Sequence, residues 1–173
     1  MIYIFTGNGK GKTTSSIGQA IRSLGQGKKI LMIQFIKSEK WETGEEKIIK
    51  KLEPDFKLIK GGEGFVGIMG DNFPIKVHKE AAKKTLKIAE KEIFRKRFDL
   101  IILDEINVAI SLKLIPLKKV LSIIKKVPSD IDLILTGRGA DKKLIEMADL
   151  VTEFREIKHP FQKGILGTKG REY

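Results

Sequence analysis

The chain has 173 residues, no cysteine, and 34 Lys and Arg against 22 Asp and Glu, for a formal net charge of +12. That length suits one domain over residues 1–173, burying roughly 70% of its unfolded surface, and the missing cysteines exclude disulfides, thiol catalysis and Cys-ligated metal. No apolar run approaches the roughly 20 residues of a membrane span and no signal peptide precedes the first one, so a soluble cytoplasmic protein without a membrane partner is expected, its charge favouring polyanions such as a triphosphate.

Ile2 to Phe5 is apolar without alternation, the pattern of a strand buried on both faces. Glycines then recur at Gly7, Gly9 and Gly11, with Asn8 and Lys10 between them and Lys12, Thr13 and Thr14 after them. Ile17, Ala20, Ile21 and Leu24 mark an amphipathic helix. Strand, glycine loop, Lys-Thr and helix make the layout of a phosphate-binding loop. Glycines let backbone N–H groups curl around a phosphate, and the helix start adds orphan donors and about half a positive charge. Lys12 would bring an ammonium to the outer phosphates, and Thr13 a hydroxyl to Mg²⁺. The general signature places a glycine where Thr6 stands, so this loop is one residue tighter.

Gly25-Gln26-Gly27 stops the helix, and Lys29 to Phe35 is a second buried strand. Ile36 to Gly44 is expected as a loop at its carboxyl end, carrying Lys37, Trp41 and Glu45, on the edge where open α/β sheets bind ligands. A short helix ended near Pro54 precedes a third strand, Phe56 to Ile59. Gly61 to Gly70 is too glycine-rich for helix or strand, and Phe65 and Met69 make it a ligand-covering flap. Pro74 to Arg97 is the longest helix, with Ala82, Leu86, Ala89 and Ile93 on one face.

Asp99 to Glu105 is an apolar run ending in two carboxylates, Asp104 and Glu105, where an acid at a strand's end reaches Mg²⁺ directly or through water. Pro116 to Val127 is a helix, Asp132 to Leu135 a strand running into Thr136-Gly137-Arg138-Gly139, Asp141 to Ala148 a helix, and Leu150 to Phe154 a last strand. Lysine stretches such as Lys83, Lys84, Lys87 and Lys91 carry few aromatics, so solvated helix faces are expected and no nucleic-acid partner. His78, on one of these charged helices, is expected in solvent, and His159 is expected to brace the turn before Pro160.

Strands alternating with helices predict an α/β fold: a P-loop (RecA-like) nucleotide-binding domain with a mostly parallel sheet and helices on both faces. The residues alone define a magnesium-nucleotide enzyme. A P-loop ATPase or kinase acting on another small molecule fits them, with Glu105 and Arg138 available to orient water or stabilise charge.

Seven blocks occur in order along nearly the whole chain: Tyr3 to Thr14, Gln34 to Lys37, Trp41 to Glu45, Gly64-Phe65, Leu103 to Asn107, Leu135 to Gly139, and Lys158 to Phe161. Together, shortened loop included, they resemble the ATP:corrinoid adenosyltransferase family. The resemblance implies transfer of the 5′-deoxyadenosyl group of ATP to the Co(I) centre of cobalamin or cob(I)yrinic acid a,c-diamide, with release of triphosphate. Cobalt is then the nucleophile, so no Ser, Cys or His nucleophile and no general base is required.

By the same resemblance Gly7, Asn8, Gly9, Lys10, Gly11, Lys12, Thr13 and Thr14 hold the triphosphate. Thr13 and Glu105 are the magnesium ligands it implies first, and Asp104 is the next candidate ligand. Lys12 and Glu105 act in catalysis, and Trp41, Glu45 and Arg138 lie near the nucleotide. Phe65 would cover the corrinoid and displace its lower axial ligand, easing reduction of Co(II). Family members often read Gly-Phe-Thr-Trp where this chain has Gly64-Phe65-Val66-Gly67, which leaves Phe65, Met69 or Phe73 to take the tryptophan's part. An electron-donor flavoprotein and a homodimer are also implied.

Overall fold

The computed structural model describes residues 1–39, 42–64, 66–67, 70–165 and 167–170. Strands β1 (Ile2–Thr6), β2 (Ile30–Gln34), β3 (Phe56–Lys60), β4 (Leu100–Asp104), β5 (Asp132–Thr136) and β6 (Leu150–Glu153) form one parallel sheet in the order β3-β2-β4-β5-β1-β6. They are joined by α1 (Lys12–Leu24), α2 (Gly44–Lys51), α3 (Ile75–Arg95), α4 (Ile106–Ser111), α5 (Leu117–Ile124) and α6 (Lys142–Met147), and Pro160–Lys163 forms a 3₁₀ turn.

Alternate residues of each central strand feed two different cores. Leu31, Ile33, Ile101, Leu103, Leu133 and Leu135 face a larger cluster with Ala82, Leu86, Ala89 and Ile93 of α3, plus residues of α4, α5 and α6. Ile30, Met32, Leu100, Ile102 and Ile134 face a smaller one with Ala20 of α1 and Ile49 of α2. Both parities must therefore be apolar, which explains the unbroken hydrophobic runs. The outermost strand β6 departs from this rule: all four of its residues are exposed.

The register brings functional residues level. Gln34 at the end of β2 pairs with Asp104 at the end of β4, and Phe5 of β1 pairs with Thr136 of β5. The turns after these strands thus share one edge, the ligand edge of an open α/β sheet.

Two expectations need correction, and one helix is additional to those expected. Glu45 lies in the first turn of α2 rather than in the preceding loop, because the helix begins at Gly44. The six-residue α4 was not anticipated; it starts directly after Glu105, whose left-handed φ of 61° turns the chain out of β4. His78 is 3% exposed, not solvated, because it stands one turn before Ala82 on the inward face of α3.

Ile102 is fully buried between α1 and β4's neighbours, so Ile102→Ala should cost about 2–5 kcal/mol of unfolding free energy in denaturant titration. The matched control Leu150→Ala, at a position 40% exposed on β6, should cost less than about 1 kcal/mol.

Candidate active site

The glycine loop is shaped from two sides. Gly7 and Gly11 take φ values of 98° and 120°, a left-handed region that favours glycine. Space is also limiting, since a Cβ on Gly7 would lie 2.4 Å from the Phe154 carbonyl oxygen and one on Gly9 would lie 2.7 Å from the Arg155 carbonyl. The segment after β6 therefore backs directly onto the loop. Phe154 N–H donates to Thr6 O at 2.8 Å, Gly9 N–H donates to Phe154 O at 2.7 Å, and the Phe154 ring packs edge-on against Phe5 with centroids 5.9 Å apart. From the other side the buried Lys12 ammonium donates to Gly9 O at 2.7 Å. Burial lowers the Lys12 pKa, against the raising influence of Glu105. Thr6, where the general signature has glycine, accepts the Ala140 N–H at 3.2 Å through its hydroxyl and so ties β1 to the turn after β5.

The two acids at the end of β4 have different environments. Asp104 has no exposed surface, and its carboxylate accepts from Thr13 Oγ1 at 2.8 Å, Thr136 Oγ1 at 2.7 Å and Gln34 Nε2 at 3.0 Å. It thereby aims the Thr13 hydroxyl from behind. Glu105 follows in the left-handed conformation, its N–H donating to Thr136 Oγ1 at 3.0 Å. Its carboxyl turns into the cleft, where burial and then the Asp104 charge raise its pKa to about 7 against the lowering effect of Lys12, Lys37 and Arg138. All the donors gathered here are oxygens, the set that suits Mg²⁺, and among the described residues no group of three or more His, Cys, Asp or Glu could hold a metal.

These groups line a cleft of about 760 Å³, within the roughly 300–1,000 Å³ typical of small-molecule sites. Asn8, Gly9, Lys10, Gly11, Lys12, Thr13 and Thr14 form one wall, with Glu105 and Arg138 beside them. Gly7 faces the Phe154 backbone instead. Glu45 also reaches the cleft, where it accepts from Lys37 Nζ at 2.7 Å; burial raises its pKa, but the Lys37 hydrogen bond and charge outweigh this and the net shift is downward. Trp41, Phe65 and Met69 fall outside the described residues. Phe73 is 41% exposed and stands edge-on to His78.

Several site residues were not singled out from the sequence. Ile17, Ile36, Val66, Val108 and Leu112 supply apolar surface to the cleft, Val108 from the unanticipated α4 and Leu112 from the residue that follows it. Gln34 and Thr136 saturate Asp104, a role their strand-end positions at the ligand edge could have flagged. The His159 carbonyl accepts the Gln162 N–H at 3.1 Å in the turn that follows, and His159 also lines the cleft.

Because the folded state raises the Glu105 pKa from 4.5 to about 7, it favours the protonated acid, and ionising it costs stability. The cost is absent below about pH 4.5, grows through the window and is complete above about pH 7, where it approaches roughly 3 kcal/mol. In ligand-free protein, Glu105→Gln should therefore be more stable than the parent at alkaline pH, with an advantage that shrinks as pH falls toward 4.5. Denaturant titrations across that range check the sign.

Comparison with known proteins identifies the family. The family model described as ATP:corrinoid adenosyltransferase BtuR/CobO/CobP matches residues 1–173. The corrinoid adenosyltransferase of Escherichia coli strain K12 is 32% identical over 173 residues, covering 100% of this chain and 85% of that protein. Those of Pseudomonas aeruginosa and a Sinorhizobium species are 36% and 37% identical, covering all of this chain and 83% and 80% of theirs. Among solved structures, a KaiC-like protein of Pyrococcus horikoshii superposes with a TM-score of 0.50 over 88% of this chain and 71% of its own, at 15% identity, a likeness of fold alone. With its tight glycine loop, its Asp104-Glu105 pair and a match running from the first residue to the last, the chain belongs to the ATP:corrinoid adenosyltransferase family.

Proposed function

We propose that this chain carries out its family's reaction, the ATP-dependent adenosylation of a corrinoid, by holding the triphosphate of ATP in the Gly7–Thr14 loop so that the ribose 5′-carbon faces the second substrate. The observation that carries this is the family match along residues 1–173. The cleft supports it by gathering Lys12, Glu105 and Arg138 beside the loop. The corrinoid cobalt, as Co(I), supplies the electron pair that forms the cobalt–carbon bond. The C5′–oxygen bond breaks, and its pair departs with inorganic triphosphate. Orientation of the carbon toward its attacker can contribute up to roughly 7–11 kcal/mol.

Lys12 and the loop N–H groups would take up charge on the leaving triphosphate, and Arg138, on the turn after β5, would assist. Thr13 and Glu105 would hold Mg²⁺, with Asp104 fixing the Thr13 hydroxyl through its 2.8 Å hydrogen bond. Bound there, Mg²⁺ would neutralise polyphosphate charge. Phe65 would cover the corrinoid's lower face. Glu45 and Trp41 would stand near the nucleotide, Glu45 held by Lys37.

The proposal extends to an electron-donor flavoprotein and to pairing of two copies. The net charge of +12 supports an acidic donor. The exposed edge strand β6, with Leu150 and Val151 each 40% exposed, supports a self-contact. No helix among the described residues is long and apolar enough to cross a membrane. A reaction that consumes ATP and a strongly reduced metal supports a cytoplasmic setting.

Mixed with Mg-ATP and chemically reduced cobalamin, the protein should form a cobalt–carbon bond and release intact triphosphate. ADP and phosphate as sole products would point instead to an ATPase or kinase. Lys12→Ala should lower kcat/KM by about a hundredfold or more while the fold persists, read by circular dichroism. Phe65→Ala should leave ATP affinity unchanged and slow the reaction starting from Co(II) more than that starting from Co(I), and equal slowing would remove Phe65 from the reduction step.

A further inference from the structure

The loop between β3 and α3 is fixed at both ends by contacts that nucleotide binding does not explain. At its start a Cβ on Gly61 would lie 2.1 Å from Thr85 Oγ1, and one on Gly62 would lie 2.3 Å from the Ile36 carbonyl carbon. Gly64 N–H donates to Ile36 O at 2.9 Å. At the far end Asp71 accepts from Gly67 N–H at 2.7 Å and from Phe73 N–H at 3.0 Å. The same carboxylate meets Nε2 of His78, 3.1 and 2.9 Å from its two oxygens. Both side chains are buried, His78 at 3% and Asp71 at 6% exposure. The Gly67 and Phe73 N–H groups hold the Asp71 carboxyl below its ordinary range, so the acceptor is the carboxylate.

This pair stands at the start of an inward helix face whose larger part, Ala82, Leu86, Ala89 and Ile93, is apolar. A buried imidazole needs a partner, and a leucine would fill the same inward position on α3 without one. What the imidazole adds is a grip on Gly67. Its neighbour Val66 packs on the larger core and lines the cleft. The loops after β3 and β1 sit four strand positions apart, about 19 Å at the sheet, so they bound the cleft from opposite ends. Displacement at a saturated carbon is in line, the attacking atom arriving opposite the leaving oxygen. With triphosphate in the glycine loop, an approach from the Val66 side would set the cobalt opposite the leaving oxygen.

We propose that Asp71 and His78 form a positioning pair that fixes the Val66–Gly67 wall against which the corrinoid seats, so that they govern the corrinoid step and not ATP binding. This rests on the adenosyl-transfer reaction proposed above. His78→Leu removes the donor while keeping apolar volume. His78→Gln places an amide N–H near the position of Nε2. Asp71→Ala removes the acceptor from the loop while leaving every apolar core side chain in place.

Steady-state adenosylation of reduced cobalamin, calorimetric Mg-ATP binding and thermal unfolding are measured for all three and for the parent. Expected for His78→Leu and Asp71→Ala is a fall of about tenfold or more in kcat/KM for cobalamin, the scale of a lost charge-assisted hydrogen bond, with the Mg-ATP Kd within about twofold of the parent. His78→Gln should recover most of that loss, which a purely structural effect on the helix would not allow. Unchanged cobalamin kinetics in Asp71→Ala, an equal weakening of Mg-ATP, or no recovery in a folded His78→Gln overturns the pair. A parent protein that forms no cobalt–carbon bond overturns the reaction and the pair together, whereas an active parent with indifferent variants overturns the pair alone.

Discussion

A carboxylate stripped of water is tolerated only where its lone pairs are matched, and in this protein everything at the ligand edge is arranged around one such group. Asp104 takes hydrogen bonds from the start of α1, the end of β2 and the end of β5 at once. The glycine loop, the β2 edge and the turn that carries Arg138 are thereby joined through a single charge. Thr136 extends the junction by accepting the Glu105 N–H, and Thr6 by accepting that of Ala140. The sheet supplies the coincidence on which this depends, since its register sets Gln34 against Asp104.

The second organising constraint is the close approach of β6 to the phosphate loop. Glycines at such loops are ordinarily explained by the phosphate they receive, yet Gly7 and Gly9 would collide with the Phe154–Arg155 backbone if they carried a Cβ. One of the loop amides, Gly9 N–H, is bonded to Phe154 O. The loop's curvature thus comes partly from the segment that leaves β6, a strand that adds almost nothing to the hydrophobic core. An exposed edge element is kept here as a buttress for chemistry.

Much of this was legible in the residues. The central strands stand out because burial on both faces leaves them no polar alternation, and the prolines at 74 and 116 mark helix starts to within a residue. The loop, the paired acids and Arg138 are signalled by residue type and spacing. What stayed hidden is physically coherent. The helix α4 is too short to show a period, and it begins after a residue in the left-handed region that no sequence cue announces. Phe154 acts on the loop largely through its backbone, which carries no signature of its own. His78 was within reach, one turn ahead of Ala82, but the lysines around it pointed outward and its partner depends on the path of a glycine-rich loop.

The bond from Lys12 to Gly9 O carries a consequence for affinity. An ammonium curled back onto the loop's own carbonyl makes the cradle a casting taken around an internal cation, so its concavity exists before any guest arrives. An incoming polyphosphate then recruits a side chain that is already tethered within the rim, and little conformational freedom is left to surrender on association. A mould set in advance therefore turns more of its contact energy into holding the polyanion it was shaped to receive.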